Sequence, residues 1–441
     1  MSFAAKNKIL ACILVVAFVL PLVYSFFYQI RPVVDARAYD TIAVNILAGC
    51  GFKEVCTESY KFDTAITRAG PGYEFFLAGI YGLFGHHYEI VWVLQALLHA
   101  LSAGLLYAIA RRLLPGDEGL FVGLLAAAWF TLSPDLIEIS AMLLTETLYL
   151  FLVIATWWLF VFLQSARHQK ITALVLGLVT GLTILTRPPV ALFGIIFCGY
   201  FLIKKQYLVL ALFIAGLAAA LFPWMYRNLL IYDQVVFTTM IGQYNLWIGN
   251  RLESTGGQIA GGINQLIDYT AVHGFYTLPQ KAKQEFLFFL THYPLIFIKL
   301  CFLRFIRYFS LIRPMGFWFY QHGVKQAVFV ACSGVWIALT FIGGYTGLAA
   351  SVSKRREGWL VVVLLALSCP LLLLPTVVES RYRFQIYPFL VIGFAYSVYW
   401  LKVQPSIMKK TLIWIVLILG LISCIDSVLA FEQVIAHLKI F

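Results

Sequence analysis

The sequence is short of charge. Of its 441 residues only 12% are Asp, Glu, Lys or Arg, while 62% are hydrophobic. A soluble domain carries about twice that share of charge, so a soluble globular class is excluded. Alternation of apolar and polar residues is also missing from the apolar runs, which excludes a membrane β-barrel. Acids are scarcer than bases, 20 against 32, for a net charge of +12. Most of the bases lie in short clusters between apolar runs, the distribution that orients membrane helices. That pattern also suits anionic headgroups or phosphates, and it is no footprint of nucleic-acid binding. Metal-ligand spacings such as CxxC are lacking, and no DxD-like acidic pair lies in the short loops expected on the cytoplasmic side, which argues against a nucleotide-sugar site there. No internal repeat is visible.

What is present is a set of long apolar runs, at a mean hydropathy of +0.88. Such runs span a bilayer as helices, because lipid offers the backbone no hydrogen-bond partner. The expected fold is therefore an all-α integral membrane protein of about eleven transmembrane helices. The spans read as Ile9–Tyr28, Tyr88–Arg112, Gly119–Ser133, Thr145–Gln164, Ile171–Thr186, Val190–Ile203, Tyr207–Met225, Val324–Leu348, Trp359–Thr376, Ile386–Leu401 and Leu412–Phe431. Lys6 and Lys8 before the first run place the N-terminus in the cytoplasm, and that run has no small-residue cleavage site, so it reads as an anchor. Lys354-Arg355-Arg356 should also be cytoplasmic.

Two extracytoplasmic loops are expected to carry interfacial helices. Pro71–Phe84 is too short and glycine-rich to span comfortably, and Tyr293–Ile312 is interrupted by Lys299, Arg304, Arg307 and, just beyond, Arg313. The organisation follows: an N-terminal transmembrane module, residues 1–228, with the first loop at 29–87; a second loop, 229–323; and C-terminal helices, 324–441. The last span ends shortly before Phe441, which leaves no room for a soluble C-terminal domain and weakly favours a small acceptor over a protein.

The chemistry-bearing residues gather on the extracytoplasmic side of this topology. The first loop opens with Asp35, Tyr39 and Asp40, at the start of a helix expected over residues 36–48. Arg68, Glu146, Arg187, Arg227, Asn228, Glu379, Arg381, Tyr382 and Arg383 fall at helix ends or loops on the same side. Charge near membrane depth is costly and marks function more often than not. Each residue taken singly has a plainer reading. Asp35 could cap its helix, Asp40 could complement the helix dipole, and Tyr39 could belong to an interfacial belt. Glu146 could be a first-turn carboxylate, with Arg68 or Arg187 as its partner. Six of the eight cysteines lie in apolar runs and read as small core residues. Cys50 and Cys56 share the first loop, either as a disulfide or as two free thiols.

In order along the chain, Asp35-Ala36-Arg37-Ala38-Tyr39-Asp40, Arg68-Ala69-Gly70-Pro71-Gly72-Tyr73 and Leu144-Thr145-Glu146-Thr147-Leu148 precede Leu185-Thr186-Arg187-Pro188. Pro223-Trp224-Met225-Tyr226-Arg227-Asn228 and Glu379-Ser380-Arg381-Tyr382-Arg383 complete the series. Over nearly its whole length the chain resembles the GT-C superfamily of polytopic glycosyltransferases, in the branch of protein O-mannosyltransferases and lipid A aminoarabinose transferases. The resemblance implies transfer of a sugar from a polyprenyl-phosphate donor, at the outer face and with inversion, to a lipid or glycan acceptor. It implies Asp35 as general base, with a lesser claim for Asp40, and Arg68, Arg187, Arg381 and Arg383 as donor-phosphate ligands. Tyr39, Glu146, Arg227, Asn228 and Tyr382 would line the substrate. No cofactor is certain; a divalent metal could bridge Asp35 or Glu146 to the phosphate. The partners would be the donor, the acceptor and membrane lipids, in what would be a bacterial inner membrane. Some relatives carry a paired acidic motif or a lysine where this chain has Arg68, which leaves the phosphate ligand open. Other classes compatible with the residues are a flippase for a lipid-linked glycan and a glycan ligase or polymerase. A flippase would more often show repeats and midplane breaks.

Overall fold

A computed structural model describes residues 3–257, 260–312, 323–353 and 359–429. Arg313, Lys354, Arg355 and Arg356 lie outside the described residues, as does the end of the last expected span. The helices are α1 Phe3–Tyr28, α2 Asp35–Leu47, α3 Pro71–Phe84, α4 Tyr88–Leu113, α5 Gly116–Thr131, α6 Pro134–Ser140, α7 Thr145–Leu163, α8 Gln169–Thr186 and α9 Ala191–Ile203. They continue as α10 Tyr207–Tyr232, α11 Ile241–Gly249, α12 Ala260–His273, α13 Leu278–His292, α14 Pro294–Phe309, α15 Val324–Ser353, α16 Trp359–Leu373, α17 Tyr387–Val403 and α18 Pro405–Leu429. Among the described residues there is no strand.

The eleven expected spans are all helical, but they differ in kind. Eight helical segments are long and apolar enough to cross a membrane. A ninth, α5 with α6, is bent by 56° where Ser133 precedes Pro134, since the proline ring excludes the preceding residue from helical geometry. The two remaining, Pro188–Ile203 and Trp359–Leu373, are shorter apolar helices. One apolar core runs through the bundle, with Trp157, Trp359, Phe193 and Tyr396 among its fully buried side chains. The bundle is multi-pass and integral to the membrane.

The two loops meet above one end of the bundle, which we call the crown. The second loop is pinned at both of its sides. The Met240 amide donates to the Ile66 carbonyl at 2.7 Å, and the Phe275 amide to that of Lys61 at 2.7 Å. Asn250 Nδ2 donates to the Pro375 carbonyl at 2.9 Å. The helix α14 is amphipathic in an inverted sense. Leu295, Ile298 and Phe302 point away from the protein, while Arg304 is fully buried. Arg304 donates to the Leu374 carbonyl at 2.9 Å and to Asn250 Oδ1 at 3.2 Å. Its charge braces the second loop from below, and the apolar side is left for lipid.

Candidate active site

The site is assembled from four segments, and each has a local reason to be there. At the first, Asp35 is the opening residue of α2 and not its cap. The capping position belongs to Val34, which offers no side-chain bond and holds a left-handed φ of 50°. That region is uncommon for any residue with a Cβ and worst for a β-branched one. The strain turns the chain sharply, and the Asp35 carboxylate leaves its own helix to meet two arginines. Reading Asp35 as a plain helix cap is therefore overturned.

The second segment is the stretch that ends in Arg68. Asp63 accepts from the amides of Glu54, Val55 and Ala65 at 3.0, 2.8 and 2.8 Å, which folds the first loop over a short 3₁₀ turn, Thr64–Thr67. That fold presents Glu54 to Arg68 in a two-pronged pair of 2.5 and 2.9 Å. Arg68 also reaches Asp35 Oδ1 at 3.3 Å. Two glycines then let this segment touch α8. A Cβ on Gly70 would stand 2.1 Å from the Leu185 carbonyl oxygen, and one on Gly72 would stand 2.6 Å from Thr186 Oγ1. Without those glycines, the chain carrying Arg68 could not lie against the chain carrying Arg187.

The third and fourth segments supply the remaining cations. Arg381 binds Asp35 Oδ2 at 2.8 Å and Glu379 at 3.1 Å. Arg187 binds Glu146, the buried second residue of α7, at 2.6 Å. The Tyr382 ring lies between them, 5.5 Å from the Arg187 guanidinium and 5.7 Å from that of Arg381. The result is one continuous chain: Glu54, Arg68, Asp35, Arg381, Tyr382, Arg187, Glu146. Tyr39 is buried beside it, edge-on to Tyr73 at 5.7 Å.

Electrostatics set the state of the carboxylate. Burial would push Asp35 up, but Arg381 and Arg68, with Arg187 beyond them, hold it below the usual carboxylate range. Burial and the Asp35 charge push the Tyr39 phenol well up, so it stays neutral. Four carboxylates, Asp35, Glu54, Glu146 and Glu379, face the three arginines Arg68, Arg187 and Arg381. Every one of these cations already has an anionic partner, with which an incoming anion would compete.

Other expected residues lie elsewhere. Asp40, five residues along α2, accepts from the phenols of Tyr81 and Tyr88 at 2.7 and 2.9 Å and lies 2.9 Å from His86 Nε2. Arg383 is buried below the site and donates to the carbonyls of Ser310 and Ser380. Arg227 donates to Asn228 at 2.9 Å inside a box of Phe52, Tyr60, Trp224 and Tyr232. Asn228 in turn holds the Val236 carbonyl at 3.0 Å. Cys50 and Cys56 form a disulfide. Among the described residues no group of three or more His, Cys, Asp or Glu side chains could hold a metal. Asp35 and Glu146, the residues the resemblance would offer one, are each paired with arginine.

Sequence reasoning passed over Glu54, Glu74 and Tyr244. Tyr244 on α11 is half-buried and feels the charges of Arg68 and Asp35. No spacing links Glu54 or Tyr244 to the motifs, since a turn and a separate loop bring them in. Glu74 had a signal: a lone acid in the apolar run PGYEFFLAGIYGLF.

Comparison with known proteins adds the following. The profile of the dolichyl-phosphate-mannose-protein mannosyltransferase family matches residues 68–226. No curated protein sequence matches the chain. Among solved structures, the Archaeoglobus fulgidus oligosaccharyltransferase AglB, in complex with an inhibitory peptide and a dolichol-phosphate, matches at a TM-score of 0.53 and 14% identity. That match covers 98% of this chain and 56% of the other. The fold is GT-C. Lower similarity links this chain to the sugar-donor complex of the Saccharomyces cerevisiae protein O-mannosyltransferases Pmt1–Pmt2, at 17% identity and TM-score 0.39 over 53% of this chain and 34% of that one. ArnT from Cupriavidus metallidurans, bound to undecaprenyl phosphate, scores 0.40 at 16% identity over 92% and 80% of the two chains. The chain thus spans about half the length of AglB and a third of the Pmt1–Pmt2 chain.

Proposed function

We propose that this protein is an inverting glycosyltransferase that moves one sugar from a polyprenyl-phosphate donor to a hydroxyl of a lipid or glycan, on the extracytoplasmic face of a bacterial inner membrane. The observation that carries the reading is the junction of Asp35 with Arg68 and Arg381, an ionised carboxylate held between two guanidiniums at one end of a GT-C bundle. The match to the mannosyltransferase profile and the dolichol-phosphate bound by AglB support the donor class. Basic clusters at the opposite end, such as Lys204-Lys205 and Lys409-Lys410, support the face.

The chemistry runs in one displacement. The acceptor oxygen bonds to the anomeric carbon as the bond from that carbon to the phosphate oxygen breaks. The electron pair departs on the polyprenyl phosphate, and the acceptor proton passes to Asp35. Arginine suits the leaving group because its planar fork grips two phosphate oxygens at once. Competition for these arginines has a second effect. A phosphate that takes over Arg381 or Arg68 removes the very charges that keep Asp35 a weak base. Donor binding therefore raises the basicity of Asp35 when it is needed. A panel of short-chain polyprenyl-phosphate sugars, offered to the purified protein in detergent, tests this. Transfer or slow donor hydrolysis should occur with the wild type and vanish with Asp35→Asn; full activity in that variant sinks the assignment.

A further inference from the structure

One group near the site has no evident use. Glu74, in the first turn of α3, is completely buried, and beyond its own backbone amide neither of its carboxyl oxygens has a hydrogen-bond partner. A buried carboxyl so sparsely paired is among the costliest side chains a fold can hold, and one that persists calls for a reason. Its surroundings are those of the candidate active site. From α2 the titratable neighbours are Asp35 and Tyr39; from the segment before α3 they are Glu54 and Arg68; Tyr73 adjoins it on α3 itself. From α8 come the backbones of Leu185 and Thr186, pressed against Gly70 and Gly72.

We propose that Glu74 is a positioning residue of this site: a neutral acid buried in the first turn of the helix that follows Arg68, whose proton keeps Arg68 paired with Asp35 and Glu54. The charges explain how. Arg68 is the cation whose charge bears on Glu74, and it already serves two carboxylates. A third negative charge, buried and without other partners, would draw Arg68 off its fork and crowd the place of the donor phosphate with anions. Burial pushes the Glu74 carboxyl up to about 8, so the acid stays protonated at neutral pH. Its loss of a proton to solvent at higher pH would uncouple Arg68 from Asp35.

The inference deepens the transferase reading and rests on it for its effect on the donor, so the test has two parts. In the first, infrared spectra of the ligand-free protein are followed from pH 6 to about 9.5. In the wild-type-minus-Glu74→Gln difference spectrum a protonated-carboxyl band should be present at pH 6 and disappear near pH 8, clear of the band that the buried Glu138 contributes to both proteins. The lack of such a band overturns the proposal whether or not the protein is a transferase. In the second, binding of a short-chain polyprenyl phosphate is titrated over the same range. Wild-type affinity should fall about tenfold per unit above the transition, while Glu74→Gln should keep its affinity. Equal slopes in the two proteins overturn the positioning role. No binding by either protein at any pH, with the infrared band present, sinks the lipid-phosphate reading and leaves the buried neutral acid established. Should Glu74→Gln fail to fold, Glu74→Met serves as the neutral, apolar alternative with the same expectations.

Discussion

Asp35 and Asp40 stand on the same short helix, five residues apart, and meet opposite fates. Asp35 pairs with two guanidiniums; Asp40 meets two phenols and an imidazole. The first arrangement holds a charge among cations, the kind of group that the proposed donor phosphate would also need. The second satisfies a carboxylate with two phenols and an imidazole and ties α2 to α3 and to the start of α4. On the proposed function, one acid reacts and the other holds. Nothing in the residue type separates them; their partners, which arrive from more than thirty positions away, do.

The contrast is sharpest in turnover. Asp35→Asn should lower transfer by about two to four orders of magnitude, the usual contribution of a positioned general base. Asp40→Asn should leave the rate per folded molecule within a few-fold of wild type. Transfer assays on both purified variants, normalised to folded protein, decide it. Equal losses would erase the distinction between the two acids.

The same division applies to the arginines of one short segment. Arg381 meets Asp35, whereas Arg383 is spent on backbone carbonyls below the site. Arg381→Gln should weaken polyprenyl-phosphate binding by tenfold or more, as loss of a charge-assisted pair costs about 1.5–3 kcal/mol. Arg383→Gln should leave donor affinity nearly unchanged and instead lower the melting temperature. A donor-binding titration beside a thermal melt separates them, and reversed outcomes would mean that the phosphate sits deeper than Asp35.

Much of this was legible in the sequence, and the limits have physical causes. Long apolar runs reveal spans because lipid tolerates nothing else, so the helical bundle and the gathering of Asp35, Arg68, Arg187 and Arg381 at one end follow from hydropathy and loop charge. Periodicity was less informative where a helix is short or bent, as at Ser133-Pro134. Side-chain pairing was not legible at all. Arg383 and Arg381 are two residues apart in the motif, yet a 3₁₀ turn sends one inward and the other into the site. Arg227 and Asn228 follow the pattern of site residues and instead close an aromatic box. Glu54 enters only through the turn that Asp63 organises.

Stability offers a quieter version of the contrast. Asp40→Asn keeps the shape but weakens three hydrogen bonds, at a cost of about 1–3 kcal/mol. Joint replacement of Cys50 and Cys56 by alanine should cost about 2 kcal/mol, because the loop closed by the disulfide is short. Chemical denaturation of the two variants reads both values. A loss well beyond that from the cysteine change would show that the first loop, with Glu54, depends on the disulfide for its fold.

The smallest effect has the most informative sign. Asp35 has an ordinary pKa of 3.8 and is held lower in the folded protein, with burial opposing and Arg381 and Arg68 prevailing. Just below pH 3.8 the unfolded chain therefore takes up a proton that the folded one refuses, so stability rises with pH through that window and the gain is complete above it. Glu74 works the other way. Its ordinary value of 4.5 is raised to about 8 by burial, so the folded protein holds a proton that the unfolded chain has lost, and its contribution declines as pH rises from 4.5 toward 8. Melting temperature measured against pH should therefore have a shallower acid limb in Asp35→Asn and a smaller decline between pH 4.5 and about 8 in Glu74→Gln. If both substitutions flattened the same limb, the two carboxyls would share one proton, and the separation of a charged acid from a neutral one would have to be abandoned.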